Sequence, residues 1–368
     1  MTPDLAKRES SATTAGRWRR AAGGPLLALL SCGLAFVVAE LLIRLAGLAP
    51  PAALFTVSAQ EFSRVPGIFS PNQSVIEGTG TRFEHPTQID SLGYRGVDFP
   101  RRKEAGEFRV LYVGDSFTYG HNVADDETLP AQLEAQLTTV CDRARVINAG
   151  LSGSTIVGED EMALRGLAVA PDLVVLMYHE NDIDELLDQD MWSKLAENRR
   201  VKSQFPVSVV YRLLRHGAIW NLAQDARRAT RNHPAASAVR EADQPVPLDA
   251  VAAAHRRYRK HLSALADTLR SLRVPLLFVL FPHPESVRAG RGGRDYDRIR
   301  ASAEGIGLPM VDLMEPLQRS GVRVEDAFLL PEDYHPSAQG YRIAAVSLSA
   351  AIIGVQDPQT CQAVSTGR

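Results

Sequence analysis

Short apolar runs that alternate with helical patterns constrain the fold of this chain more than any other feature of its sequence. The runs are RVLYVG, ARVINAG, PDLVVLMYH, VPLLFVLF and LPMVDL, and helical patterns such as LPAQLEAQLTTV and EDEMALRGLA separate the first three. Strands that alternate with helices form βαβ units, whose parallel strands are buried on both faces. We therefore expect an α/β domain with a mainly parallel sheet covered by helices on both faces.

Composition excludes one class of function. The chain has 368 residues, of which 45% are hydrophobic and 23% charged, and its formal net charge is −2. This is an ordinary globular composition without the basic excess of a nucleic-acid-binding protein. The cysteines, Cys32, Cys141 and Cys361, lack the spacing of a zinc site or a redox dithiol. We expect no nucleic-acid partner, metal or cofactor, and a Cys141–Cys361 disulfide remains open for an exported domain.

The amino-terminal segment reads as a membrane anchor. Residues Ala21 to Ala39 are uncharged, and apolar sequence resumes after Glu40, which can pair with Arg44 one helical turn later. Basic residues precede this segment and are scarce after it, which places the amino end in the cytoplasm. We predict a cytoplasmic tail (1–20), a signal-anchor helix (21–48) and a periplasmic or extracellular remainder. A cleaved signal peptide, a lipoprotein signal at Cys32 and a buried core helix are the alternatives.

The rest of the chain divides by composition. Residues 49–105 are rich in Pro, Gly and Ser and read as a linker that caps the domain, with IDSLGYRG at 89–96 as its most structured part. The main domain should span 106–355, followed by a tail at 356–368. A helical insertion at 184–249 carries an apolar stripe of Val210, Leu213, Leu214, Ile219 and Leu222, with Tyr211 and Trp220 beside it. We favour an ordinary docked helix there over a lid or a membrane-lying helix.

A serine follows the first apolar run at a sharp turn. In FRVLYVGDSFTYG, Ser116 would stand at the carboxyl edge of the sheet, where open α/β folds bind their ligands. A serine there can be a nucleophile, or Asp115 or Ser116 can simply cap the following helix.

A nucleophilic serine needs a base and an acid that orients the base. His335 lies in a loop before a helix that Ser337 can cap, and Glu332 and Asp333 stand three and two residues before it. Either carboxylate could accept the imidazole proton. His121 and His283 also follow apolar runs and are rival bases.

The oxyanion of such a reaction needs hydrogen-bond donors. VINAGLSGST ends a strand in Gly150 and Gly153, where a backbone N–H could approach a substrate oxygen or where the chain simply turns. HEND ends another strand with Asn181 and Asp182, either a side-chain donor or a helix cap.

Together these blocks resemble the SGNH (GDSL-like) hydrolase family over about residues 106 to 355. GDSFTYG, INAGLSGST, HEND and the His335 block match its four motifs in order. The resemblance implies a flavodoxin-like three-layer α/β/α sandwich. It also implies Ser116 as nucleophile and backbone donor, Gly153 and Asn181 as further oxyanion donors, and His335 as general base and then acid. The anchor and the LGYRG segment look like those of membrane-anchored bacterial members.

The chain departs from the family pattern at two positions. The third block begins with His179 instead of glycine, which would crowd the substrate channel or add a polar contact there. The last block has Glu332 at the spacing where the family has aspartate, and Asp333 is displaced by one residue. Spacing slightly favours Glu332 as the triad acid, whereas residue type favours Asp333.

These expectations define a membrane-anchored serine esterase that hydrolyses acyl or acetyl esters through an acyl-enzyme on Ser116. An ester-bearing small molecule, a lipid or an acylated glycan would be its substrate. Acyl transfer to an envelope polysaccharide is the alternative within enzymes, and a catalytically silent scaffold is the alternative outside them.

Overall fold

The computed structural model describes residues 27–28, 30–48, 54–57, 59–187, 191–214, 217–223 and 247–355. The chain forms two compact units. The smaller comprises Met1–Ala52 with Val209–Ala242, and the larger comprises Ala53–Ser208 with Asp243–Arg368.

A five-stranded parallel sheet forms the centre of the larger unit. Its strands are β3 (Phe108–Gly114), β4 (Ala144–Gly150), β5 (Leu173–His179), β6 (Leu276–Phe281) and β7 (Met310–Asp312), in the spatial order β4-β3-β5-β6-β7. Every residue of β3, β5 and β6 is buried. This strand order has a switch point between β3 and β5, and ligands of such sheets bind at the carboxyl ends beside it. The expected α/β class with a mainly parallel sheet is confirmed.

The helices of the larger unit connect these strands and cover the sheet. The helices are α1 (Ala59–Phe62), α2 (Ser116–Tyr119), α3 (Leu129–Leu137), α4 (Ile156–Gly166), α5 (Asp182–Leu187), α6 (Met191–Ser203), α8 (Leu248–Ser271), α9 (Pro284–Ala289), α10 (Arg294–Gly305), α11 (Met314–Arg319), α12 (Val324–Ala327) and α13 (Ala338–Val355). A further helix, α7 (Val207–Leu214), has most of its residues in the smaller unit. Helix α13 packs on α3, whereas α8 packs on α4, α5 and α10. Two separate helical groups therefore flank the sheet, as right-handed crossovers on either side of β3 require. Ser337 caps α13 by accepting a hydrogen bond from the Gly340 N–H at 3.2 Å.

The segment predicted as a linker is folded against the domain. It contains an antiparallel hairpin of β1 (Gln73–Glu77) and β2 (His85–Ile89). Ile68, Ile89 and Tyr94 are buried in the same apolar core as the sheet. Arg95 forms isolated bridges to Ile89 and to Asn148 of β4. The hairpin and the LGYRG segment thus extend the domain well before β3.

Helical residues 27–28 and 30–45 belong to the smaller unit. Glu40 pairs with Arg44 at 2.8 Å, as predicted, and its carboxylate also accepts hydrogen bonds from the backbone N–H groups of Ala218 (2.6 Å) and Ile219 (3.0 Å). Among the described residues, no helix combines the length and the apolarity needed to cross a bilayer. Residues 1–26 and 29 lie outside the described part of the chain, so the predicted anchor at 21–48 is described except for residues 21–26 and 29.

Helix α6, in the first part of the predicted insertion, packs on α1 and α4. Trp192 of α6 packs on Phe62 with ring centroids 6.2 Å apart, and the Arg199 guanidinium lies over the Phe62 ring at 4.1 Å. Residues 207–214 and 218–223 are helical, although the side chains of Tyr211 and Leu213 and residues 224–246 lie outside the description.

Cys32 is free and exposed, whereas Cys141 is disulfide-bonded. Cys361, the partner considered from the sequence, lies outside the described residues.

Candidate active site

Ser116 is the first residue of α2, directly beyond the end of β3. Asp115 is the helix cap, since its carboxylate accepts the N–H of Phe117 at 2.9 Å. The capping interpretation therefore applies to Asp115, which leaves the Ser116 hydroxyl available for other contacts. The residue is 7% exposed.

Gly150 allows α2 to lie close to the end of β4. Gly114 and Gly150 are partners in the β3–β4 register, and a Cβ on Gly150 would stand 2.1 Å from the Tyr119 nitrogen. A side chain cannot occupy that space, so glycine is required for packing. Of the two roles expected for Gly150, an approach to a substrate oxygen and a simple turn, neither describes its contact, which is a close approach to the backbone of α2.

A hydrogen-bonded chain joins Ser116, His335 and Asp333. His335 Nε2 lies 2.8 Å from Ser116 Oγ, and His335 Nδ1 lies 2.6 Å from Asp333 Oδ1. With Asp333 ionised, Nδ1 carries the proton and Nε2 accepts the Ser116 hydroxyl proton. Burial raises the pKa of Asp333, but hydrogen bonds from His335 and Asn122 outweigh it and the net pKa is lowered. The arrangement is that of a serine nucleophile with a base and an orienting acid.

The slight preference for Glu332 as the partner of His335 is corrected by this geometry. The Glu332 side chain is 52% exposed and forms an ion pair with Arg82. Asp333 reaches His335 because the loop turns back on itself, with the Asp333 N–H donating to the Leu329 carbonyl and the Leu329 N–H donating to the His335 carbonyl.

The rival histidines occupy other positions. His283 caps α9 by accepting the N–H of Glu285 at 3.3 Å. His121 is exposed, and its ring lies 4.7 Å from that of His335. Donor atoms of His121, Asp333 and His335 lie within 4.8 Å of one another, a spacing that a metal ion could use. Asp333 and His335 already hydrogen-bond each other, and His335 also hydrogen-bonds Ser116, so the arrangement suits proton transfer.

Gly153 forms the turn after β4. Its φ is +73°, and the Ser154 N–H closes the turn on the Leu151 carbonyl at 2.9 Å. Glycine adopts this left-handed conformation without steric penalty. The turn places Gly153 three residues beyond the strand end that lies beside β3.

Asn181 follows β5, on the other side of the switch point. Its amide Nδ2 donates to Glu185 Oε1 at 2.9 Å. Ser116, Gly153 and Asn181 therefore follow three adjacent strands at one sheet edge.

Buried carboxyl groups surround Asn181. Burial raises the pKa values of Asp115 and Asp182, and the nearby Glu159 carboxylate raises that of Asp182 further. Burial, with the charge of Asp115, raises the pKa of Glu185 to about 7. The carboxyl group that accepts the Asn181 hydrogen bond, that of Glu185, therefore has a pKa near neutrality.

His179 lies beneath the site rather than in a channel. It is buried, its ring stacks on Phe117 with centroids 3.6 Å apart, and Nδ1 lies 3.1 Å from the Phe281 carbonyl oxygen. Burial lowers the pKa of His179 well below its usual range, so the ring is neutral and Nδ1 donates to the carbonyl. The expectation that His179 crowds or contacts substrate is corrected, because Phe117 covers it.

Sequence reasoning missed Asn122 and Glu185. Asn122 Nδ2 donates to Asp333 Oδ2 at 2.5 Å, and Asn122 has a φ of +62°. Asparagine is one of the few residues other than glycine that adopt this conformation readily. The signal for Glu185 was its spacing of four from Asn181, which aligns the two side chains on one helical face.

The fold is of the α/β class, and the aligned serine, histidine and aspartate at the edge of its sheet form a site suited to ester hydrolysis. Residues 112–343 match the model of the GDSL-like lipase/acylhydrolase family. The chain belongs to this family, and it is an enzyme that hydrolyses ester bonds. The family expectation from the sequence is confirmed.

The solved structures that match this chain share little sequence with it. A lipase/acylhydrolase from Enterococcus faecalis is 16% identical, with a TM-score of 0.41, and the match covers 68% of this chain and 98% of that one. An acetylxylan esterase from Geobacillus stearothermophilus is 16% identical, with a TM-score of 0.39, and the match covers 70% and 98%. No curated protein sequence matches the chain. These similarities are too low to indicate a substrate.

Proposed function

We propose that the chain is a membrane-anchored serine esterase that works through an acyl-enzyme on Ser116. The observation that carries the proposal is the hydrogen-bonded line from Ser116 Oγ to His335 Nε2 at 2.8 Å and from His335 Nδ1 to Asp333 at 2.6 Å. A silent scaffold would not require this line, since a fold alone needs no aligned serine, histidine and aspartate.

In the first half-reaction, Ser116 Oγ attacks the ester carbonyl while His335 Nε2 takes the hydroxyl proton. The tetrahedral oxyanion is stabilised by the backbone N–H groups of Ser116 and Gly153 and by the Asn181 amide. His335 then gives the proton to the departing alcohol oxygen as the carbon–oxygen bond breaks. In the second half, His335 takes a proton from water, the hydroxide attacks the acyl carbonyl, and Ser116 Oγ leaves with the proton.

The proposed location has separate support. The amino-terminal segment carries the charge asymmetry of an anchor whose following domain lies outside the cytoplasm. Cys141 is disulfide-bonded, and disulfides persist in oxidising compartments. Two separate assays test the proposed location. After carbonate extraction, the chain should stay with the membrane fraction. In intact spheroplasts, added protease should cleave it from outside.

Fluorophosphonate labelling of the full-length chain, read by intact mass, tests the catalytic part. We expect one adduct per chain, lost in Ser116→Ala and in His335→Ala. His283→Ala is the matched control and should label, because His283 contacts Glu285 rather than Ser116. A folded wild-type chain that takes up no label would exclude an activated serine.

A further inference from the structure

The LGYRG segment has no part in the proposed chemistry, yet its arginine lies beneath the loop that follows α2. We propose that Arg95 and Asn122 are positioning residues that hold Asp333 in line with His335. The inference rests on the proposed function, because it assigns the support of that same triad.

Arg95 collects the carbonyl groups at the end of α2 and in the loop after it. It is 4% exposed. Its Nη1 donates to the carbonyls of Tyr119 (2.9 Å) and Gly120 (2.7 Å), and its Nη2 donates to that of Val123 (2.7 Å). Its Nε donates to Asp125 Oδ1 at 2.8 Å. The planar guanidinium has five N–H donors in a fixed arrangement, so these bonds fix residues 119–125 as a unit.

Asn122 lies inside the loop that Arg95 fixes. Its Nδ2 donates to Asp333 Oδ2, whereas Asp333 Oδ1 lies against His335 Nδ1. The His335 backbone N–H also donates to Asp333 Oδ1, at 3.2 Å, so Asn122 is the partner of Oδ2 while Oδ1 is held by His335 alone. Both oxygens are engaged, and the carboxylate cannot rotate without losing hydrogen bonds. Hydrogen bonds to an ionised group are about twice as strong as neutral ones. The path from Arg95 to His335 thus consists of the loop, Asn122 and Asp333.

A second buried arginine in the same domain provides a control. Arg109 is fully buried and donates to the carbonyls of Pro100 (2.7 Å) and Val169 (2.9 Å) and to Glu107 (2.7 Å). It is the second residue of β3, at the opposite edge of the sheet from Ser116. Both arginines are buried and both donate to backbone carbonyls, but only Arg95 holds the loop that contacts the triad.

The test uses the full-length chain and two readouts, the rate of fluorophosphonate labelling and the turnover of p-nitrophenyl acetate. Asn122→Gly removes the amide and permits the same backbone conformation. We expect labelling and kcat/KM to fall roughly tenfold to a hundredfold, as for a lost hydrogen bond to a charged group. Arg95→Lys should also lower both values, and the double variant should fall no further than about threefold below the lower single variant, because both residues act on one carboxylate. Arg109→Lys should lower the melting temperature and leave the labelling rate unchanged.

Asn122→Asp separates positioning from general stability. The introduced carboxyl would contact Asp333, which lies beside His335 and His121. The other titratable groups of the cleft that Asn122 lines are Arg82, Glu84, His85, Glu127, Glu325 and Asp326. Two adjacent carboxylates repel, which raises the pKa of the introduced group. Its protonated form can donate to Asp333 in place of the amide. The labelling rate relative to wild type should therefore rise as the pH falls, which a merely destabilised chain would not show.

The outcomes are distinguishable. A wild-type chain that does not label would remove the proposed function and the inference with it. A wild-type chain that labels, together with an Asn122→Gly rate within about threefold of it, would overturn the inference and leave the proposed function intact. If Arg95→Lys does not fold, the two Asn122 variants decide the question by themselves.

Discussion

Replacing Glu185 with glutamine should stabilise the protein at alkaline pH and leave it nearly unchanged near pH 4.5. Burial and the charge of Asp115 raise the pKa of Glu185 from 4.5 to about 7. Asp184 faces the same group and also raises the value, whereas Asn181 and Lys194 lower it. The ionised form is therefore less favourable in the folded protein than in the unfolded chain.

Proton linkage gives the sign and the size of the difference in free energy of unfolding between Glu185→Gln and wild type. Between pH 4.5 and about 7, the Glu185 carboxyl keeps its proton in the folded protein but loses it in the unfolded chain. The wild-type free energy of unfolding therefore falls as the pH rises across that window. Glutamine has no such ionisation and retains an oxygen that can accept the Asn181 hydrogen bond. The difference in free energy of unfolding should be below about 0.5 kcal/mol near pH 4.5 and should approach roughly 3 kcal/mol at pH 8.

Urea titrations followed by tryptophan fluorescence at several pH values measure this difference. Glu325→Gln is the control, because its hydrogen bond with Arg288 lowers the pKa of Glu325. That variant should gain no stability at alkaline pH. A Glu185→Gln variant whose advantage is the same at pH 4.5 and pH 8 would refute the reasoning.

Three further predictions concern the triad and its support. Asp333→Asn should lower kcat on the order of 10³- to 10⁴-fold, whereas Glu332→Gln should stay within about threefold of wild type because its ion pair is exposed; equal losses in steady-state esterase assays would contradict the assignment. Gly150→Ala should destabilise the chain by about 2–3 kcal/mol or more in urea unfolding, because its Cβ would stand 2.1 Å from a backbone nitrogen. Gly305→Ala is the control: its Cβ would have no atom within 4 Å, and stability should change by less than about 1 kcal/mol. Tyr341→Phe removes a buried 2.9 Å hydrogen bond to the first turn of α2 and should lower the free energy of unfolding by about 1–3 kcal/mol; an unchanged urea midpoint would show that the carbonyl finds another partner.

The central sheet could be predicted because its strands are buried on both faces. The run RVLYVG corresponds to β3, in which every residue is buried, so apolar residues mark the strand without ambiguity. The hairpin before it could not be predicted this way. The buried positions of β2 alternate as expected, but two of them are His85 and Thr87, so hydrophobicity does not reveal the strand.

Some residues of the site could likewise be predicted from the sequence, and others could not. Ser116 and Asn181 follow directly from strand ends, because parallel strands bring their carboxyl ends to one edge. The choice between Glu332 and Asp333 depends on how the loop closes between Leu329 and His335, and spacing does not encode that closure. Asn122 and Arg95 reach the triad through contacts between segments far apart in the chain, which a single sequence does not display.

The carbonyl contacts of Arg95 also affect how the enzyme should lose activity on heating. The hairpin and the LGYRG segment precede the region that matches the family, and they are joined to the domain partly through this arginine. Proteins open locally, in contiguous units, before they unfold globally. If the segment detaches as such a unit, residues 119–125 lose their anchor while the buried sheet stays intact. Thermal inactivation should then precede the loss of the sheet, and it should reverse on cooling as long as the core has not opened.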